Sequence, residues 1–351
     1  MNTAQLTIPL TIYRFFFGTD DKPHLPAYPG SSWRGAFGHS LKKTVCVVRN
    51  TPCNQCILKN ACAYSYVFET PPPTNSEKMR KYTAAPHPFV FRFPTTTALS
   101  DSDYSLDLIL FGHGQGYLPY IIHALQKAGQ DGIGGHQQVF SLQKIDNISE
   151  YSQSKTIYLN GELKPQHPNV LQAHPKMPKQ IEITFHSPLR IKQDSRNLTA
   201  RQFNFGAFFG TLLRRISMIS YFHTDTPLET DFAALTAHAR TVQFAAQQLK
   251  WYDWTRYSSR QQTEMNMGGL IGSVHLDMQG LEEFWPYLWL GQHTHVGKGT
   301  SMGMGAYSIR PHPASGDRNL VCHASTRSSF ARANSYTHHR RRLSAGTANP
   351  D

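Results

Sequence analysis

The spacing of apolar side chains changes along this chain, and each change marks an element. Residues 6–17 are dense in apolar and aromatic side chains and predict a strand. Residues 32–48 predict a helix, because Trp33, Ala36, Phe37, Leu41 and Val45 share one stripe of a helical wheel. Residues 64–69 and 87–93 read as strand pieces around a proline-rich loop, 104–111 as an alternating strand, 117–128 as a helix and 138–145 as a closing strand. That order is β-α-β-β-α-β. A comparable series follows: a strand at 181–191, helices at 200–219 and 229–248, strands at 250–257 and 270–278, a helix at 281–291 and a strand at 303–310. The helix at 229–248 is its main departure.

The two series also share residues. GAFGHSLKK at 35–43 aligns without a gap with GAFFGTLLRR at 206–215, an offset of 171. Pro119-Tyr120 matches Pro286-Tyr287, Gly132 matches Gly299, and Phe140-Ser141-Leu142 matches Tyr307-Ser308-Ile309, each at an offset of 167. Two nearly equal offsets in the same order argue duplication. The expected fold is α+β: tandem ferredoxin-like (RRM-like) modules, a recurrent RNA-binding platform. The first spans 1–145, a polar linker with at most one hairpin 146–179, and the second 180–310. From 311 to 351 the periodicity stops; six Arg against two Asp make this a basic tail, expected to be disordered or a joint to another domain.

Charge narrows the partner. Across 351 residues, 35 Lys and Arg stand against 23 Asp and Glu, a formal charge of +12. This favours a polyanion such as nucleic acid over an acidic metal cluster, a solvated basic surface being the alternative. The most apolar stretch, 203–219, is interrupted by Arg214 and Arg215, so no membrane span is expected, and the N-terminus lacks signal-peptide features; a cytoplasmic protein is the expectation. Four of five cysteines, Cys46, Cys53, Cys56 and Cys62, form C-x6-C-x2-C-x5-C. In a reducing compartment such spacing suits a structural, tetrahedral zinc; an iron–sulfur cluster or unligated thiols are the other readings. Cys322 stands apart as an idle thiol.

Candidate chemistry concentrates in three stretches. On the helix at 32–48, His39 lies outside the apolar stripe with Lys42 and Lys43 at i+3 and i+4, a proton carrier beside two cations. RNA supplies its own nucleophile, the 2′-OH, so cleavage needs a base, an acid and positive charge but no catalytic metal. Tyr13 is a second candidate proton-transfer group, Arg34 is either a phosphate ligand or a structural arginine, and Pro29-Gly30-Ser31-Ser32 offers a serine cap and free N–H groups for phosphate. The bland alternative for His39 is one exposed histidine among 18, and the repeat has Gly210 in its place. HVGKGTSMGMGAY at 295–307 sets Gly297, Gly299, Gly303 and Gly305 around Lys298, Thr300 and Ser301, either a phosphate-cradling nest or a glycine-rich turn before a strand. WYDWTRYSSRQQ at 251–262 interleaves Trp251, Trp254 and Tyr257 with Arg256 and Arg260, an RNA stripe or core aromatics with a solvated edge.

Together PGSSWRGAFGHSLKK with the cysteines after it, APHPFVF at 85–91, GYLPYIIHALQKAGQDGIG at 116–134, RYSSRQQ and HVGKGTSMGMGAYSI resemble the CRISPR-associated endoribonucleases that process precursor CRISPR RNA, the sixth-numbered Cas protein of the RAMP superfamily. The resemblance covers about residues 5–310. It implies two ferredoxin-like modules, recognition of a CRISPR repeat RNA, and metal-independent cleavage to a 2′,3′-cyclic phosphate and a 5′-hydroxyl. It further implies His39 as general base or acid, a glycine-rich loop that holds RNA, and a zinc that braces the insertion. Members also occur fused to a reverse transcriptase and an integrase, which makes the tail a candidate joint. Other superfamily members hold RNA without cutting it, as subunits of a CRISPR effector complex, and that is the alternative function. A zinc-containing nucleic-acid-binding regulator would leave the duplication unexplained.

Overall fold

The computed structural model describes residues 6, 8–72, 85–94, 103–148, 154–164, 174–258 and 263–312. Its centre is β1 (Leu10–Gly18), whose sequence LTIYRFFFG is buried along both faces of the sheet. Tyr13, Phe15 and Phe17 point one way, into a core shared with Trp33, Phe37, Leu125 and Phe140. Leu10 and Ile12 point the other way and join Val90, Ile109 and Phe111 in a core built mostly by the second half of the chain. The near-continuous apolar run thus has a cause: both sides of the strand are covered.

Around β1 the first module runs α1 (Gly30–Val45), β2 (Phe89–Arg92), β3 (Asp103–Phe111), α2 (Leu118–Asp131) and β4 (Ser141–Ile148). The hairpin β5 (Lys155–Leu159) and β6 (Glu162–Leu163) completes a six-stranded antiparallel sheet in the order β2-β3-β1-β4-β5-β6. The second module runs β7 (Gln180–Leu189), β8 (Lys192–Gln193), β9 (Arg196–Asn197), α3 (Phe205–His223), α4 (Phe232–Thr241), β10 (Ala246–Tyr252), β11 (Thr255–Ser258), β12 (Thr263–Asn266), β13 (Gly269–Asp277), α5 (Trp285–Thr294) and β14 (Tyr307–Pro311). Its main sheet is ordered β10-β13-β7-β14, the counterpart of β2-β3-β1-β4. The duplicated residues occupy equivalent places: Gly35 and Gly206 in α1 and α3, Pro119 and Pro286 in the first turns of α2 and α5. Proline there loses no hydrogen bond, because the first turn's N–H groups have no intrahelical partner.

Three expectations are corrected. Residues 65–69 form one π-helical turn, Ser65–Glu69, not a strand. Tyr64 and Phe68, four apart, stack at 5.4 Å, and the Tyr64 hydroxyl donates to Glu69 Oε1 at 3.1 Å, so helical spacing wins. The helix expected at 229–248 stops at Thr241; Val242 and Phe244 then pack on the core at period two, and 246–252 is strand β10. The linker expected at 146–179 begins with the end of β4 and contributes the β5–β6 hairpin, whose Asn160-Gly161 turn has φ of 51° and 88°. Both signs suit a type I′ hairpin turn. The tail from 313, Cys322 and Arg260 lie outside the described residues. Among the described residues, no helix is long and apolar enough to cross a membrane.

Candidate nucleic-acid interface

Trp33, Phe37 and Leu41 bury one side of α1, which leaves His39, Lys42 and Lys43 together on its exposed side. Lys42 Nζ sits 5.7 Å from the Tyr64 ring centroid, a cation–π contact that leaves the ammonium near water. This face presents an imidazole beside two cations. Tyr13 does not join it. Its side chain is 2% exposed in the core of the first module, and desolvation raises its hydroxyl above the ordinary range.

The other end of α1 is closed. Pro29 is the N-cap and no side chain caps the helix, so the expected serine cap is not made. A Cβ at Gly30 would collide with the Met302 carbonyl. The helix N-terminus therefore abuts the glycine-rich loop of the second module instead of opening to a phosphate.

That loop is also not the open cradle expected of it. Gly297, Gly299, Gly303 and Gly305 all have positive φ, 87°, 77°, 84° and 68°, which explains the four glycines. The backbone N–H groups of Lys298, Met302, Gly303, Met304 and Gly305 are spent inside the protein, on Arg190, Gly299, Thr300, Gly299 and Pro188. Thr300 and Ser301 are buried, and Gly303 O accepts from Ser187 Oγ at 2.7 Å. Of the residues named there, Lys298 is exposed. The loop is a joint between modules, and its phosphate-binding reading narrows to Lys298.

Arg34 fastens this joint. Its Nε donates to Ser301 Oγ at 2.9 Å, its Nη2 to His87 Nε2 at 2.8 Å, and its guanidinium lies 4.3 Å from the Phe68 centroid. Arginine can only donate, so His87 Nε2 accepts and Nδ1 carries the proton. That proton goes to Thr70 Oγ1 at 2.9 Å, and Thr70 Oγ1 donates to Ala85 O. His87 is held between Phe68 and Phe89, and desolvation, with Arg34 and Arg215 adding repulsion, pushes its pKa down to about 3. In this arrangement Arg34 takes the structural role of the two expected.

A second imidazole, the buried His223, adjoins it. His223 Nε2 donates to Pro86 O at 2.7 Å, and Tyr66 OH donates to Nδ1 at 2.9 Å; desolvation lowers the His223 pKa to about 4. Arg215 is half-buried and donates from Nε to Thr294 O at 2.6 Å, and desolvation lowers its pKa to about 9. Sequence reasoning missed His87, His223 and Arg215. They lie far apart in the chain, and a lone histidine beside a proline or within an apolar helix carries no local pattern.

The aromatic stretch divides. Trp251 is 37% exposed and donates from Nε1 to Asp253 Oδ1 at 2.7 Å. Tyr252 and Trp254 turn to Tyr28 of the first module, with centroids 5.4 and 5.8 Å away. Arg256 is on β11. The four clustered cysteines are free and half-buried, and three of them, Cys46, Cys56 and Cys62, line one cavity of about 420 Å³ with Tyr117 and Tyr120. They stand around this space rather than on one point: among the described residues, no three His, Cys, Asp or Glu side chains gather as a metal-holding group.

Comparison with known proteins follows these lines. Residues 183–307 match the profile of the CRISPR-associated endoribonuclease Cas6 family, and residues 8–173 match a family described as an N-terminal domain. An uncharacterized protein of Archaeoglobus fulgidus is 25% identical over 178 residues, 48% of this chain and 57% of the relative. The chain thus spans little more than half the length of that curated relative. A solved Cas6 product complex shares the fold at a TM-score of 0.54 and 14% identity, over 86% of this chain and 99% of the other. A partial Cas6-RT-Cas1–Cas2 complex aligns at a TM-score of 0.50 and 13% identity, over 88% of this chain and 47% of that one.

Proposed function

Because this is a chain of the CRISPR-associated Cas6 type, matched to that endoribonuclease family over residues 183–307, we propose that it binds CRISPR repeat RNA and cleaves precursor CRISPR RNA without a metal. Its fold is read as two ferredoxin-like modules, the one carrying catalysis being the first. The 2′-oxygen upstream of the break attacks phosphorus, forming O2′–P as P–O5′ breaks. The 2′-OH proton leaves to a base and the 5′-oxygen gains one, giving a 2′,3′-cyclic phosphate and a 5′-hydroxyl. His39 is the proton carrier, and Lys42 and Lys43 offset the charge of the phosphorane. Lys298 and the arginines of the 251–262 stretch hold the flanking strand.

The observation that carries this reading is the exposed side of α1, where imidazole and two ammonium groups stand together on a helix whose opposite side is buried through Trp33, Phe37 and Leu41. Association with a reverse transcriptase and integrase extends the same proposal to partners, a reading supported by the likeness in fold to a partial Cas6-RT-Cas1–Cas2 complex.

The test is cleavage of a repeat RNA in EDTA. Cutting should persist, and a 2′-deoxy substitution upstream of the break should abolish it while leaving binding intact. A requirement for a divalent ion, or 5′-phosphate ends, would overturn the mechanism. Binding without cutting would assign the chain to RNA-holding subunits.

A further inference from the structure

We propose that the surface formed by the segment after α1 and the start of α2 docks an acidic amphipathic helix of another protein. This goes beyond the RNA reaction and does not rest on it.

The segment from Cys46 to Cys62 holds its shape through its own main chain. Cys46 N–H donates to Lys42 O at 2.9 Å, Gln55 N–H to Pro52 O at 2.9 Å, Lys59 N–H to Cys56 O at 3.1 Å and Ala61 N–H to Leu58 O at 3.0 Å. These successive turns leave aliphatic side chains at the surface: Val47 is 77% exposed, Ile57 91% and Leu58 40%. On α2, the Tyr120 ring is 49% exposed. One exposed apolar residue is ordinary, but Val47, Leu58 and Tyr120 line the same cavity of about 420 Å³, and Ile57 adjoins Leu58. The inner wall is firm. Val45 and Tyr117 also line the cavity and pack on the core of the first module, and Tyr117 stacks on Tyr66 with ring centroids 4.9 Å apart. An apolar hollow on a fixed support, rimmed by protruding aliphatic groups, suits the seating of a partner's side chains.

Charge selects the occupant. The chain contains no Asp or Glu from Gly30 to Phe68, and none at 112–130. Within those stretches Lys43 and Arg49 are exposed beside the cavity-lining segment, Lys59 is half-buried, and Lys127 is exposed on α2. The two elements that frame the hollow therefore carry cations without carboxylates. Apolar anchors flanked by Asp and Glu complement such a surface, and a helix supplies them at positions i, i+3, i+4 and i+7. A second copy of this chain is a poor match, because an isologous contact would set these cations against themselves. RNA would pair the cations and leave the aliphatic groups without a counterpart. A bilayer offers no side chains to fill a hollow.

The experiment uses the full chain as purified and a fluorescent helical peptide about four turns long, with leucine at those four positions and their repeats and glutamate between them. Fluorescence anisotropy should show binding that weakens as salt rises. The same peptide with lysine for glutamate, or with serine for leucine, should bind about tenfold more weakly or worse. The Ile57→Ser, Leu58→Ser double variant should lose about tenfold or more in affinity for the glutamate peptide, with RNA affinity unchanged. Hydrogen exchange of the unaltered chain should slow at 44–63 and 117–121 when that peptide is bound, a readout that needs no variant to fold. Equal binding of the glutamate and lysine peptides, undiminished binding by the double variant, or no exchange protection in those two segments would overturn the proposal. So would three reassignments: loss of RNA affinity in the variant gives the surface to RNA, a dimer of the parent chain that the variant dissociates gives it to a second copy, and preference for phosphatidylserine vesicles over the peptide gives it to lipid.

Discussion

Arg34 and Ser301, 267 residues apart in the chain, meet through an Nε–H···Oγ bond of 2.9 Å. One side chain thereby joins the helix that carries His39, the approach to β2 through His87, and the glycine-rich loop of the other module. Each hydrogen bond from a charged donor contributes about 1.5–3 kcal/mol. Arg34→Ala should therefore lower unfolding free energy in urea by about that amount, and Arg34→Lys should recover only part, because an ammonium lacks the planar fork that reaches both acceptors. An alanine variant as stable as the parent would show that the joint is held elsewhere.

Acid should weaken the same joint. His87 and His223 titrate near 3 and 4 in the folded chain and near 6.5 unfolded, so both are neutral when native and take up protons on unfolding below pH 6.5. Their contribution is whole above pH 6.5 and is lost as pH falls toward the folded values, at about 1.4 kcal/mol per pH unit for each group. Urea unfolding followed from pH 7 to pH 4.5 should show this slope. His87→Gln, which can still accept from Arg34, should remove one group's share, and an equal slope in parent and variant would exclude His87 as a source.

A charge ladder crosses the first sheet in register: Arg92 opposite Asp107, Asp107 opposite Arg14, Arg14 opposite Asp146. Asp107 is 1% exposed and accepts from Arg14 at 2.7 and 3.0 Å and from Arg92 at 3.1 and 2.9 Å. Asp107→Asn should cost about 3 kcal/mol, the lower end for breaking a buried pair, because the arginines are 32% and 29% exposed and can rehydrate. Arg14→Ala should cost less than Asp107→Asn, since Arg92 still holds the carboxylate. Chemical denaturation of both variants checks the order.

Where side chains recur at a fixed spacing, the sequence was legible. The Trp33, Phe37, Leu41 stripe gave α1 and left His39 on its outer face, and the shared Gly-Ala-Phe and Pro-Tyr pairs placed the duplicated helices in matching positions. What escaped depends on contacts between distant segments. Clustered glycines signal unusual φ, but the N–H groups they free can turn outward to a ligand or inward to Arg190 and Pro188, and spacing does not distinguish the two. Tyr13 looks reachable from the strand pattern until the core of the first module buries it. Short-range signals were also overridden: Asn160-Gly161 marks a hairpin inside a stretch whose polar composition suggested only a linker.

His39 offers the sharpest separation of chemistry from structure. Its side chain is exposed on α1 while Phe37 and Leu41 hold the helix in place, so His39→Ala should leave thermal stability within about 0.5 kcal/mol, as for other surface substitutions. Loss of a proton carrier should instead reduce the single-turnover cleavage rate by roughly 10²-fold or more, with RNA affinity nearly unchanged. Lys42→Ala should shift the balance: an ammonium that neutralises phosphate acts in the ground state as well, so affinity and its salt dependence should both fall. Filter binding across a salt series, paired with single-turnover rates on the same RNA, separates the two effects. A His39→Ala chain that cuts at the parent rate would transfer the proton transfers to another group, with Lys42 and Lys43 the nearest candidates on that face.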